Sequence, residues 1–200
     1  MSKTKICCVL IFLLSLTGCM VKYNFVENKR ITIAETYSVE PQITWSGKTI
    51  DNNHMWTLNG PNLERIVFLN NIKDGETLFK NEKSQPFKKG LNIIELAELF
   101  SNSMQKDGKW LKVKTLNLQP KNFGPFDGFN FETTMVSEKG LAYRGLVSGA
   151  VIEEELFLVF YLAVEMHYYP KHIEHFKNML SSIQKVKGSK QVKTGKNDEI

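Results

Sequence analysis

The nine residues Leu156 to Val164, LFLVFYLAV, constrain the fold of this chain more than any other stretch. Side chains alternate across a strand, so a strand apolar on both faces needs cover on both sides. The segment therefore reads as the central strand of a sheet. Leu63 to Asn70 carries the same message, with Ile66 and Phe68 on one face and Val67 and Leu69 on the other.

The remaining segments build around these two. Ile43 to Trp45 and Met55 to Leu58 flank Ser46 to His54, which is rich in Gly, Asp and Asn and reads as a hairpin with a long turn. Leu91 to Gln105 is expected to be a helix, because Ile93, Ala97, Phe100 and Met104 fall on one stripe. Trp110 to Leu118 reads as a strand near an edge, with Lys112 and Lys114 on a wet face. Phe129 to Met135 and Ala142 to Ile152 continue a meander, and Gly145 and Gly149 inside the latter suggest a close backbone approach. A second helix begins near Pro170, with Ile173, Phe176, Leu180 and Ile183 forming its buried stripe. Two helices separated by an antiparallel meander define an α+β class, a sheet sandwiched by helices.

At this point the sequence resembles the PsbP-like family, the sandwich of photosystem II extrinsic subunits, a Ran-binding nuclear factor and many small bacterial lipoproteins. The likeness rests on element order and on Pro41, Trp45, Trp56-Thr57, Leu99-Phe100, Gly128-Phe129, Phe176 and Leu180-Ser181-Ser182-Ile183. It spans Arg30 to Ile183 and implies the α/β/α sandwich. No residue set specific to the photosystem or Ran-binding members is present, so their partners do not follow from it.

The N-terminus carries an address. Lys3 and Lys5 precede an uncharged apolar run from Ile6 to Leu16, and small residues follow. That is the order of a secretory leader, and the run is too short for the roughly 20 residues a membrane-spanning helix needs. Leu16-Thr17-Gly18-Cys19 resembles the bacterial lipobox. The resemblance implies cleavage between Gly18 and Cys19, a covalent palmitate-type lipid on Cys19, and a membrane contact through the acyl chains. Met20 is not the aspartate tied to inner-membrane retention, so in a two-membrane envelope the resemblance implies the outer membrane. The expected organisation is a signal peptide over 1–18, a tether over 19–29, the sandwich domain over 30–184 and a disordered lysine-rich tail over 185–200.

Charge then excludes one class of partner. The net +5 comes from the ends, because Lys3, Lys5 and the five lysines from Lys185 onward lie outside the domain. The domain itself is neutral, so no nucleic acid is expected as a partner. The only cysteines are Cys7, Cys8 and Cys19, which leaves the mature body without a thiol nucleophile or disulfide.

Chemistry is sparse. Ser148 lacks the Gly-x-Ser-x-Gly elbow and reads as a strand serine; Gly124 to Gly128 lacks the Lys-Ser/Thr of a phosphate loop and reads as a turn. Glu153 to Glu155 reads as a solvated turn rather than an acid/base pair. His167, His172 and His175 are the candidate metal ligands, a set that zinc accepts with an open fourth position, beside the simpler reading as surface or partly buried histidines. Tyr168 and Tyr169 are candidate surface anchors for a binding partner, whereas Trp45, Trp56 and Trp110 read as core. The expectation is a membrane-anchored envelope protein with a binding or accessory role and an envelope-protein partner. The alternatives are a metal-dependent envelope enzyme, with zinc as the candidate ion, or a wall-polymer or lipid binder acting through the lysine tail.

Overall fold

The computed structural model describes residues 23–50, 52–79 and 82–186. The chain runs β1 (Asn24–Val26), β2 (Ile31–Ile33), β3 (Tyr37–Val39), β4 (Trp45–Ile50), β5 (Asn53–Thr57), β6 (Glu64–Ile72), α1 (Ile93–Lys106), β7 (Trp110–Pro120), β8 (Gly128–Ser137), β9 (Ala142–Ile152), β10 (Glu155–Val164), α2 (Tyr168–Ser181) and β11 (Gln184–Lys185). Eight strands form one antiparallel sheet in the order β1-β4-β5-β6-β10-β9-β8-β7, and β11-β3-β2 form a small second sheet.

Alternation along β10 divides the core in two. Leu156, Leu158, Phe160 and Leu162 point to a layer with Phe100, Phe131 and Met104, beneath α1. Phe157, Val159, Tyr161 and Ala163 point to the opposite layer with Trp45, Trp56, Phe176 and the small sheet. The molecule is thus a three-layer sandwich with α1 on one face and α2 plus the small sheet on the other. All three tryptophans are core residues, the most exposed being Trp110 at 7%.

The helix α1 starts with a reciprocal cap. The Asn92 side chain accepts from the Ile94 and Glu95 amides, and the Glu95 carboxylate accepts from the Asn92 amide. Such a cap contributes about 1 kcal/mol and fixes the register in which Ala97, Phe100 and Met104 face the sheet. Edge strand β7 is protected by two bulges, at Lys112 and Asn117, both with left-handed backbone. Bulged, lysine-bearing edges resist pairing with a second chain.

Three local differences from the sequence reading each come from backbone pairing. The long turn expected over Ser46 to His54 is instead strand on both sides, with Ile50 paired to Asn53 and a two-residue connection. The stretch expected to be a tether contains β1, which adds to β4 at the sheet edge. Lys185, expected to open the disordered tail, pairs with β3 together with Gln184. None of these short, polar segments announces itself locally.

The β9–β10 connection is a two-residue turn in which Glu153 and Glu154 both have positive φ, 49° and 68°. Such turns favour Asn-Gly because other residues cost about 1 kcal/mol or more each in the left-handed region. The exposed Lys89–Glu154 pair offsets little of that. Replacing Glu153 by Asn together with Glu154 by Gly is expected to stabilise the domain by about 1 kcal/mol, read as a higher urea midpoint.

Candidate functional site

A cleft of about 880 Å³ lies at one end of the sheet, where the β4–β5 turn, the end of β6 and the start of β10 meet. It is built on a bulge. Leu156 pairs with Ile72 and Leu158 with Leu69, so Asn70 and Asn71 together oppose Phe157. Asn71 takes the left-handed conformation at φ 54°, which asparagine tolerates better than most residues. Across the cleft the β2–β3 turn supplies two more left-handed residues, Ala34 and Glu35. Three strained non-glycine residues around one opening store roughly 1–3 kcal/mol each, and such strain collects at functional sites.

Hydrogen bonds hold the asparagines in place. The buried Asn70 accepts from the Tyr37 hydroxyl at 3.1 Å and donates to the Asn52 carbonyl at 2.7 Å. The Asn53 side chain accepts from the Asn70 amide at 3.0 Å, and Asn71 donates to Glu155 at 2.9 Å. Among the described residues, Glu35, Glu76, Glu82 and Glu155 line the opening with Lys73, so carboxylates outnumber cations there. A rigid, polar, acidic cleft is complementary to a cationic or donor-rich group. Sequence reasoning missed this site. Its one local signal is the Asn70-Asn71 pair that ends the apolar run Ile66 to Leu69.

The three candidate histidines do not share one environment. His167 is exposed at the entrance of α2, its ring edge-on to Tyr168. His172 shares the inward stripe with Phe176 and is buried, its ring 6.0 Å from Trp45 and 5.9 Å from the half-buried His175. Among the described residues, no three His, Cys, Asp or Glu side chains are grouped to hold a metal ion. The converging triad expected from spacing is not formed, because packing turns His172 into the sheet while His167 stays outside.

His172 meets a buried polar group instead. Its Nε2 lies 3.6 Å from Oε2 of the fully buried Glu64. The Tyr161 hydroxyl is 3.1 Å from that same oxygen and 2.8 Å from the Tyr168 carbonyl. One proton serves one of these acceptors at a time. Burial, with Glu64 beside it, pushes the Tyr161 phenol well above its ordinary range, so it remains a donor. Asn59 donates to the second Glu64 oxygen at 2.5 Å.

Burial lowers the His172 pKa, against the opposing pull of Glu64 and with Lys171 and His175 adding to the reduction. The unfolded chain then binds a proton more readily than the folded one. Stability is therefore expected to fall as pH drops from about 6.5, the ordinary histidine value, toward the lower folded value. His172→Gln is expected to flatten that part of the pH profile in urea denaturation. An unchanged slope between pH 7 and 5 would assign the dependence to another group.

Tyr168 and Tyr169 are not free anchors. Both are half-buried against the α2-side core. Tyr169 stacks on Tyr161 at 5.9 Å, and the Arg144 guanidinium lies over it at 5.2 Å. Arg144 is in turn held by the Glu132 carboxylate. The two rings pin the start of α2 to the sheet. Gly18 and Cys19, the leader and the tail beyond Val186 lie outside the described residues. Among the described residues no helix is long and apolar enough to cross a membrane.

The architecture is a large antiparallel sheet with two helices packed on it, a PsbP-like α+β fold. Among solved structures, the cyanobacterial PsbP (CyanoP) of Synechocystis sp. PCC 6803 is similar with a TM-score of 0.53 at 10% identity, covering 85% of this chain and 98% of that one. The Ran-binding protein Mog1p of Saccharomyces cerevisiae has a TM-score of 0.49 at 8% identity, covering 84% and 97%. No family model matches the chain, and no curated protein matches it significantly. At these identities the likeness is one of fold.

Proposed function

We propose that this chain is a lipid-anchored cell-envelope protein whose domain acts by binding, in an accessory role to an envelope partner, through the acidic cleft at the β6 bulge. The cleft carries the reading. It is large, preorganised by the Asn70 hydrogen bonds and bordered by three strained left-handed residues, a combination that suits recognition. Its carboxylates suit a partner presenting a lysine, an arginine or a cluster of N–H donors.

The anchor rests on the leader and on the Leu16-Thr17-Gly18-Cys19 tetrapeptide. β1 begins at Asn24, five residues after Cys19, and five extended residues reach about 18 Å at most. A domain tied that closely stays beside the membrane face. In an envelope with two membranes, Met20 after the cysteine favours the outer one.

Two measurements test the proposal separately. The intact mass of the membrane-extracted protein is expected to show a chain beginning at Cys19 with a diacyl or triacyl increment, and Cys19→Ser is expected to leave the membrane fraction. An unacylated wild-type chain sinks the anchor. For the cleft, a photo-crosslinking residue at the exposed Asn52 is expected to capture a discrete partner in intact cells, whereas one at the exposed Leu116 on β7 is not. Equal capture from both positions defeats the cleft assignment.

A further inference from the structure

A second cleft, of about 340 Å³, opens on the other half of the sheet, between α2 and strands β7, β8 and β9. α2 covers β10 and part of β9, so the far strands carry polar residues on the same face. In register across this floor stand Gln119, Asn130 and Ser148, one from each strand. Directly opposed residues share a face, so the three form a polar row.

The central member of that row is unusual. Asn130 is only 7% exposed, and its Oδ1 is buried with no hydrogen-bond partner. A buried acceptor left unpaired is costly, and in native proteins it calls for an explanation. Beside it the Ser148 hydroxyl, 4% exposed, reaches only the Phe129 carbonyl, at 3.4 Å. That hydroxyl keeps its own acceptor capacity. The next side chain on the same face of β8, Glu132, is already committed, held by Arg144 and approached by Asn117 at 3.4 Å. Lys177 on the α2 wall is likewise paired with Glu174. The cleft thus offers unspent amide and hydroxyl groups, and two of the charges on its wall and floor are already neutralised.

We infer that this cleft binds a small hydroxyl-rich molecule of monosaccharide size, with one ligand hydroxyl donating to Asn130 Oδ1 and accepting from a neighbouring side chain. Side-chain amides and hydroxyls both donate and accept, as sugar hydroxyls do, so the row Gln119, Asn130, Ser148 matches a vicinal pair of them. The volume falls at the small end of ligand pockets. One wall is fixed by the β7–β8 connection, where Gly124 (φ 59°) packs against Ile183 so closely that a Cβ would lie 2.7 Å from the Ile183 carbonyl. The site is independent of the acidic cleft and of the membrane anchor.

The test is an amide-detected NMR titration of the folded domain with glucose, galactose, N-acetylglucosamine and N-acetylmuramic acid, each to tens of millimolar. At least one is expected to give saturable shifts confined to Gln119, Asn130, Ser148 and the facing turn of α2. Asn130→Leu is expected to weaken that binding about tenfold or more, the loss of one well-made hydrogen bond. The same variant is expected to raise the melting temperature of the free protein, since it removes an unpaired acceptor. Gln119→Ala, at an exposed position, is expected to weaken binding severalfold without touching the fold, and decides the matter if Asn130→Leu does not fold. No saturable shift from any of the four sugars overturns the proposal. So does binding that survives both substitutions unchanged.

Discussion

Phe100→Ala is expected to destabilise the domain by about 3–5 kcal/mol, the range for removing a fully buried aromatic ring. Phe100 is 0% exposed on the inward stripe of α1. Its ring meets Phe160 at 5.2 Å, Phe131 at 5.5 Å and Phe79 at 6.3 Å, each in an edge-on arrangement. Truncation leaves a cavity bounded by the central strand β10 and by β8, which are locked in the sheet and cannot collapse into it. Edge-on aromatic pairs add roughly 0.5–1.5 kcal/mol beyond area, and three are lost together. A domain of this size has a total stability of about 5–15 kcal/mol, so the loss is a large share of it. Phe25→Ala, at a ring 83% exposed, serves as the reference and is expected to change stability by less than about 0.5 kcal/mol. A Phe100→Ala cost below about 1 kcal/mol in urea titration would mean that the α1 layer is loosely packed.

The elements legible in the sequence are those whose signal is local. β10 and β6 show apolar residues on both faces, and the structure places them side by side at the centre of the sheet. The α1 stripe of Ala97, Phe100 and Met104 is buried, and Leu96 and Leu99 widen it. On α2, Ile173 and Phe176 are buried as expected, while His172 and Met179 join them. A histidine on an apolar helix face has no sequence signature separating a ligand from a packed ring; that depends on Glu64, more than a hundred residues earlier. The small sheet is less legible still. β11 is two polar residues whose place is fixed by β3 and by Arg30, which bonds Ser38, Glu40 and the Ser182 carbonyl.

The candidate sites were hidden for a related reason. Amide side chains are ordinary in turns and on wet strands, so Asn52, Asn53, Asn70 and Asn71 read singly as punctuation. Only the sheet brings the β4–β5 turn beside the end of β6. Asn130 and Ser148 likewise look like the wet side of alternating strands. The orphaned oxygen of Asn130 emerges only once β7, β8 and β9 stand in register beside α2. The histidine spacing was the more conspicuous pattern, and helix packing dispersed it.

Gly149→Val is expected to cost about 3 kcal/mol or more, at the upper end of the range for overpacking. Gly149 lies in β9, paired with Phe129 on one side and Leu158 on the other, where the sheet is covered on both faces. A Cβ there would stand 2.7 Å from the Phe157 carbonyl oxygen, 3.1 Å from the tip of the Phe129 ring and 2.5 Å from a Leu158 methyl. A leucine methyl can swing aside, but a carbonyl held in the sheet cannot. Either β9 and β10 separate, weakening the ladder, or Phe129 leaves its stack with Phe131. Gly145, four residues earlier on the same face, is hemmed in the same way by the Tyr161 carbonyl at 2.8 Å. The two glycines let large residues of the neighbouring strands fill the layer, so the sequence spends small side chains on β9 to admit Leu158, Leu162 and Phe129. The size series distinguishes this from backbone entropy: a loss that grows from Gly149→Ala to Gly149→Val marks steric exclusion, whereas a gain on Gly149→Ala marks relief of unfolded-state freedom. Val151→Ala, on the same strand but 40% exposed, is expected to stay within about 0.5 kcal/mol and so separates strand position from burial.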